Sequence, residues 1–290
     1  MHWNKLAFLL AMTGGMAWAQ NDTVYAPPIA LAPDEGTNQG GVSFELNVRN
    51  LTDYVYRGVD YTEVVDPTTD ATGGEGALDL NMDVMMRFDL GDRVPHPFVG
   101  TAVNVYDSDP VSRFQEFRPI VGADLRLQPV TFTGALQSYT YPQRDQLDTS
   151  EVFGKIQLDD SRLVGSDVPL LNPYVLVAYD YDLNNGWYAE AGISHDFFIE
   201  DISLTLTPIV RLAYTHGWQQ QFAFFADDGS GWQHLDVGVT FQYKLNSLLN
   251  LSRRWGDWYL RGQIFYTEHL TSSTVGQTLT WGGLGIGFEY

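Results

Sequence analysis

The sequence predicts a transmembrane, antiparallel, up-and-down β-barrel of the outer-membrane type, and three observations predict it. The last stretch, Thr278 to Tyr290, alternates small or polar residues with Leu284, Ile286, Phe288 and a terminal Tyr290. A soluble domain has nothing to pack against such a face at a fraying end, whereas lipid and an interfacial aromatic girdle receive it. From residue 41 onward the hydrophobic pattern has a period of two, the signature of strands that are wet on one face and greasy on the other. The chain also opens like an export signal: Lys5, the apolar run Leu6 to Met12, a Gly-Gly break, and Ala17-Trp18-Ala19 as a small-x-small cleavage site.

These features divide the chain into a signal over residues 1–19, cleaved after Ala19, a flexible periplasmic lead-in over 20–40, and a barrel over 41–290. The apolar run at the start is too short to cross a bilayer as a helix, which needs roughly 20 residues, and no later stretch qualifies. The chain contains no cysteine, which excludes a lipoprotein anchor, a disulfide framework and thiol chemistry. The lead-in holds Pro27, Pro28 and Pro33 and shows no periodicity.

The strands follow in order. Val42, Phe44, Leu46 and Val48 oppose Ser43, Glu45, Asn47 and Arg49. The next run puts Leu78, Leu80, Met82, Val84, Met86, Phe88 and Leu90 on one face and Asp79, Asn81, Asp83, Arg87 and Asp89 on the other, with Met85 the exception. Further segments lie near 97–106, 114–127, 130–140, 151–158, 173–181, 187–198, 202–215, 233–245, 257–267 and 278–290, twelve in all. An even number returns the C-terminus to the side where the barrel began, and closure removes sheet edges from lipid. Pro119 and Pro208 fall inside strands, where a missing donor needs a bulge or the end of pairing. The links 159–172 and 246–256 are long for periplasmic turns, so ten or fourteen strands stay open as alternatives. The opposite connections, 51–76, 107–113, 141–150, 182–186, 216–232 and 268–277, read as external loops.

Trp187, Phe197, Tyr214, Trp232, Tyr243, Trp258, Tyr266, Trp281 and Tyr290 lie near strand ends and read as girdle residues. The parity of Tyr139, Tyr188, Tyr259 and Phe265 points inward. The charged candidates for the lumen are Asp79, Asp83, Arg87, Glu116, Arg118, Asp124, Arg126, Glu190, Arg211, Asp236, Lys244 and Arg261. Both signs are present, which leaves two readings: an internal ion-pair network propping a mostly filled lumen, or a narrow hydrated pathway between acidic and basic walls. A barrel of about twelve strands sits between small filled barrels and open channels of about sixteen.

The formal charge of −20 disfavours nucleic acid, whose phosphates would be repelled. It reads as acidic surface loops or as a cation-favouring pore mouth. The paired serine and histidine of a lipid hydrolase are not fixed by any motif: Ser194 and His195 are adjacent in a strand and point to opposite faces. His216 and His269, with Ser272 and Ser273, stand in external loops. Asp180, Asp182 and Asn184 imitate the start of a calcium loop, but Asn185 stands where glycine is needed and Ala191 where a bidentate glutamate is needed. Asn185-Gly186 is instead a tight-hairpin signal. No catalytic residue, metal site or cofactor is expected.

Directly after the first strand comes Asp53-Tyr54-Val55-Tyr56-Arg57-Gly58-Val59. This Tyr-Val-Tyr-Arg-Gly segment, followed by a polar loop and alternating strands to an aromatic end, resembles a family of uncharacterised bacterial outer-membrane porin-like proteins. The resemblance covers residues 42–59 as a motif and the rest as architecture. It implies an exported barrel of unassigned solute and supplies no catalytic residues. Within the motif, Arg57 is expected to pair with a lumen carboxylate, and Gly58 to permit a turn or a close backbone approach.

The expected function is a monomeric, porin-like channel for small hydrophilic or cationic solutes, in contact with outer-membrane lipid and lipopolysaccharide. The final strand, through Leu284, Ile286, Phe288 and Tyr290, is the signal to the barrel-assembly machinery. The alternative is a non-conducting structural or adhesive barrel acting through loop 216–232, whose Trp218, Phe222, Phe224 and Phe225 would either contact a partner or plug the lumen.

Overall fold

A computed structural model describes residues 41–61, 79–91, 93–107, 113–142, 145–166, 168–217, 230–274 and 276–290. Twelve long strands form the wall: β1 (Val42–Leu51), β2 (Asp79–Phe88), β3 (His96–Asp107), β4 (Arg113–Leu127), β5 (Val130–Tyr139), β6 (Thr149–Leu158), β7 (Tyr174–Asp180), β8 (Gly186–Ser194), β9 (Leu204–His216), β10 (Gly231–Lys244), β11 (Asp257–His269) and β12 (Leu279–Glu289). Each pairs antiparallel with the next, and β12 returns to β1 in a register from Glu45↔Glu289 to Leu51↔Gly283, so the barrel is closed. The long link 245–256 carries a 3-10 turn at Arg253–Trp255, and 159–172 carries the short helix Ser161–Val164; neither adds a strand.

Alternation sets the two faces. Val121, Leu136, Ile156, Val175 and Ile264 are each about half exposed around the outside, as are Leu284 and Ile286 on β12, whereas Asn81, Asp83, Glu116, Arg118 and Asp124 on the other parity are buried. The backbone ladders satisfy the peptide groups that lipid could not.

Both interior prolines lie where a ladder is interrupted on one side. Phe117 exchanges both hydrogen bonds with Thr140, so the absent N–H of Pro119, two residues on, falls on the β5 side, where regular pairing resumes only at Ile120↔Gln137. Pro208 faces the break between Ser194↔Ile209 and Phe197↔Leu206, and there its carbonyl accepts from the His195 N–H. In each case the register continues past the gap, and the missing donor costs one ladder bond on that side only.

Two sequence expectations need correction. Trp281 is not a girdle residue: it is 1% exposed, its ring stacks on Phe265 inside the barrel at 5.0 Å, and its indole N–H donates to Thr267 Oγ1. Its parity on β12 is opposite to that of Leu284 and Ile286, which face outward. The connection after β1 does not begin as an external loop. Residues 54–61 turn back into the barrel and are all buried, because three tyrosines and two valines find apolar contact there and not in water.

An arginine at Ile264, mid-strand on the outer face and 59% exposed, is expected to destabilise the barrel by about 2–4 kcal/mol if that position meets the bilayer midplane. Urea titration of Ile264→Arg in phospholipid vesicles checks this, and an unmoved midpoint would mean that the face does not meet hydrocarbon.

Candidate functional site

The lumen is the candidate site, and its outer half is shaped by the segment that follows β1. Val55–Tyr56 and Val59–Asp60 pair with each other as a two-stranded hairpin separate from the wall. The two residues between them, Arg57 and Gly58, have φ of 52° and 75°. Two consecutive left-handed residues are what a two-residue hairpin turn demands, and glycine supplies one of them at no steric cost. An arginine in that region costs of order 1–2 kcal/mol, so something outside the turn must hold it.

Glu151 on β6 holds it. Arg57 Nη1 and Nη2 donate to the two carboxylate oxygens, each at 2.8 Å, and both side chains are fully buried. The guanidinium also lies 4.3 Å from the ring centre of Tyr188 on β8. In the closed order of strands, β6 and β8 lie five places from β1 in either direction, so the hairpin reaches across the bore to the far wall. On β4, three places from β1, Glu116 Oε1 accepts from Tyr54 at 2.8 Å. The Tyr56 and Tyr139 hydroxyls are 2.5 Å apart, and the Arg118 guanidinium sits 4.6 Å from the Tyr56 ring centre.

The wall is built to receive this hairpin. Between Ala213↔His234 and Tyr214↔Trp232 the β9–β10 register shifts by one, a bulge that leaves Gln233 and His234 both buried. Bulges re-aim side chains in this way. Gln233 Nε2 donates to the Arg57 carbonyl at 2.6 Å, and His234 packs so close to Gly58 that a Cβ there would sit 2.5 Å from the imidazole. His234 Nδ1 in turn lies 3.1 Å from Asp236, which pairs with Arg211 at 3.1 Å. Asp60 N–H donates to Gln277 at 3.0 Å.

The inner half, toward the termini, is filled by ions from the wall itself. Arg261 bonds Glu45 at 2.9 Å and also Asn47 and Glu289. Arg49 bonds Asp83 at 2.8 Å, and Asn47 donates to the same carboxylate at 2.7 Å. On β2, Arg87 pairs with Asp124 of β4 at 2.7 Å, and on the far wall Glu190 accepts from Tyr174 and Tyr188. A cavity of about 20 Å³, lined by Asn47, Arg49, Thr207, Thr240, Gln242, Arg261 and Gln263 among others, remains beside the Arg261 cluster. That is room for little more than one water.

The twelve charged lumen candidates are thus placed as follows. Asp83, Arg87, Glu116, Arg118, Asp124, Glu190, Arg211, Asp236 and Arg261 project inward and engage the groups described, with Glu116 and Arg118 3.7 Å apart on β4. Lys244 pairs with Asp257 at 2.8 Å near the inner rim, and Arg126 is partly buried. The side chain of Asp79 lies outside the described residues. Sequence reasoning placed Glu45 and Arg49 on the polar face of the first strand without naming them for the lumen, and it missed Glu151, Gln233 and His234. Parity could have found Glu151, because Val152 and Ile156 face outward on the same strand. No pattern announces the bulge that turns Gln233 inward.

The other candidates resolve simply. Asp180 accepts from Thr149 Oγ1, from Asn184 Nδ2 at 2.6 Å and from the N–H groups of Asp182 and Asn184, so its oxygens brace a turn. No cluster of three metal-ligating side chains occurs among the described residues. At the outer rim His216 Nδ1 and Ser230 Oγ are 2.7 Å apart, and His269 bonds Thr274 at 2.9 Å. The aromatic residues of loop 216–232 named above lie outside the described residues.

Gly58→Ala adds a methyl against His234 at an unfavourable φ and is expected to loosen the hairpin by more than about 1 kcal/mol. Trypsin reads this directly: Arg57, fully buried in the native barrel, becomes a cleavage site in the variant and stays uncut in the parent.

No family model matches the sequence, and no curated protein is similar to it by sequence. Solved structures are similar in shape. The KdgM porin superposes with a TM-score of 0.50 at 8% identity, covering 85% of this chain and 99% of that one. KdgM in complex with disordered oligogalacturonate gives 0.49 at 8% identity, over 86% and 99%. LpxR from Salmonella typhimurium gives 0.46 at 9% identity, over 85% and 99%. At such identities the likeness is one of fold, and the fold is that of a twelve-stranded outer-membrane barrel.

Proposed function

We propose that the chain is a porin-like outer-membrane channel of low conductance for small hydrophilic solutes. The observation that carries this reading is the division of labour in the bore. The outer half is occluded by a hairpin that is no part of the wall, and behind it the wall presents Glu116, Arg118, Glu151, Tyr139 and Tyr188. A barrel used only as a scaffold has no need of a polar wall behind its filling. The acidic chain, at −20, favours cations over anions at the mouths.

Export by a signal cleaved after Ala19, assembly through the outward Leu284, Ile286, Phe288 and Tyr290 of β12, and a monomer surrounded by lipid and lipopolysaccharide complete the proposal. We assign no catalytic role and no cofactor. The filled bore itself favours a second reading, a non-conducting structural barrel in which the hairpin is permanent core.

Planar bilayers under a potassium chloride gradient separate the two. The channel reading expects small, infrequent current steps with a cation-favouring reversal potential. It fails if correctly inserted barrels, shown by heat-modifiable gel mobility, pass no ions either as the parent or with residues 53–60 replaced by a Gly-Ser linker.

A further inference from the structure

The hairpin that occludes the outer bore is tied to the wall in a way that permits release. Its two strands hydrogen-bond to each other and form no ladder with any barrel strand. What holds it is side-chain contact: the hydrogen bonds of Arg57 to Glu151, Tyr54 to Glu116, Tyr56 to Tyr139, and Gln233 and Gln277 to its backbone, together with the burial of Tyr54, Val55, Tyr56, Val59 and Tyr61. A permanent filling of a β-barrel is more securely made from the wall, as the Arg261 and Arg49 clusters of the inner half are. Here the turn residue is an arginine in left-handed conformation, a geometry maintained from outside by its carboxylate partner on the far wall.

Release also leaves a wall that water can accept. Glu116 keeps Arg118 on its own strand and Asn104 on the neighbouring one, and Tyr188 keeps Glu190. Glu151 gives up its bidentate bonds to Arg57, and in a wet bore a carboxylate is readily hydrated. The exchange is confined to one segment: its ion pair, its tyrosine and glutamine hydrogen bonds and the burial of its tyrosines and valines are traded for hydration of a polar bore.

We propose that the segment Asp53 to Tyr61 is a resident gate, latched across the bore by the Arg57–Glu151 pair, whose withdrawal opens the conducting path. This rests on the channel reading above and adds its regulation.

Four proteins test it in planar bilayers: the parent, Glu151→Gln, the charge swap Arg57→Glu with Glu151→Arg, and the barrel with residues 53–60 replaced by a Gly-Ser linker. The gate predicts steady steps several-fold larger than the parent's for the linker variant. It predicts frequent transitions between the parent level and that larger level for Glu151→Gln, and a return toward the parent's quiet behaviour in the swap. Equal conductance and open time in the parent and the linker variant would overturn the gate while leaving the channel standing, since ions would then bypass the hairpin. Silence in every inserted variant would overturn the channel and the gate together. Should Glu151→Gln fail to fold, the linker variant carries the test, because it leaves every wall residue in place.

Discussion

A fully buried arginine paired with a fully buried glutamate on the opposite wall fixes how the rest of this barrel is filled. With the bore closed and dry, neither ion could stay buried alone: removing one partner of such a pair costs about 3–5 kcal/mol because the other is left uncompensated. Once Arg57 is committed to Glu151, the turn must be left-handed at two residues, and Gly58 must pass against His234 without a side chain. The β10 bulge must then supply Gln233 to the Arg57 carbonyl. Tyr188 supplies the face on which the guanidinium rests. Two features of the hairpin and two of the wall are thus tied to one ion pair.

The bore is thereby divided into halves of different character. Toward the termini, Arg261, Arg49 and Arg87 are neutralised by carboxylates, and here both members of every pair project from the wall. Toward the other end the filling is largely aromatic, with Tyr54, Tyr56 and Tyr61 packed against Tyr139, Tyr141 and Tyr188 in one cluster. Aromatic rings with hydroxyl handles suit a contact that must be dry when closed and tolerate water when open. The proposed regulated path rests on the chemistry of this second half and not on the width of the barrel.

Much of the fold was legible because β-strands in lipid leave a strict record. The seven apolar positions from Leu78 to Leu90 and the closing alternation at Leu284, Ile286 and Phe288 expose the outer face directly, and twelve such segments correspond to the twelve strands. Position in a strand is less informative than parity: Trp281 lay near a strand end, and its inward parity decided its place. The candidate site was legible only in part. Arg57 and Gly58 were visible as a motif, but a segment that follows a strand in a polar, Pro- and Gly-containing connection looks like any external loop. Its return into the lumen depends on partners on β6, β8 and β10, which alternation along β1 cannot encode.

The central claim, that the hairpin occupies the bore, is open to a direct measurement in a chain that contains no cysteine. Single cysteines at Val59, fully buried in the hairpin, and at Ser272, in the β11–β12 loop, can be labelled in the refolded barrel with a membrane-impermeant maleimide. Val59→Cys is expected to react far more slowly than Ser272→Cys and to react fully once the barrel is unfolded. Equal labelling rates at the two positions would place the segment in water outside the barrel and contradict a filled outer lumen.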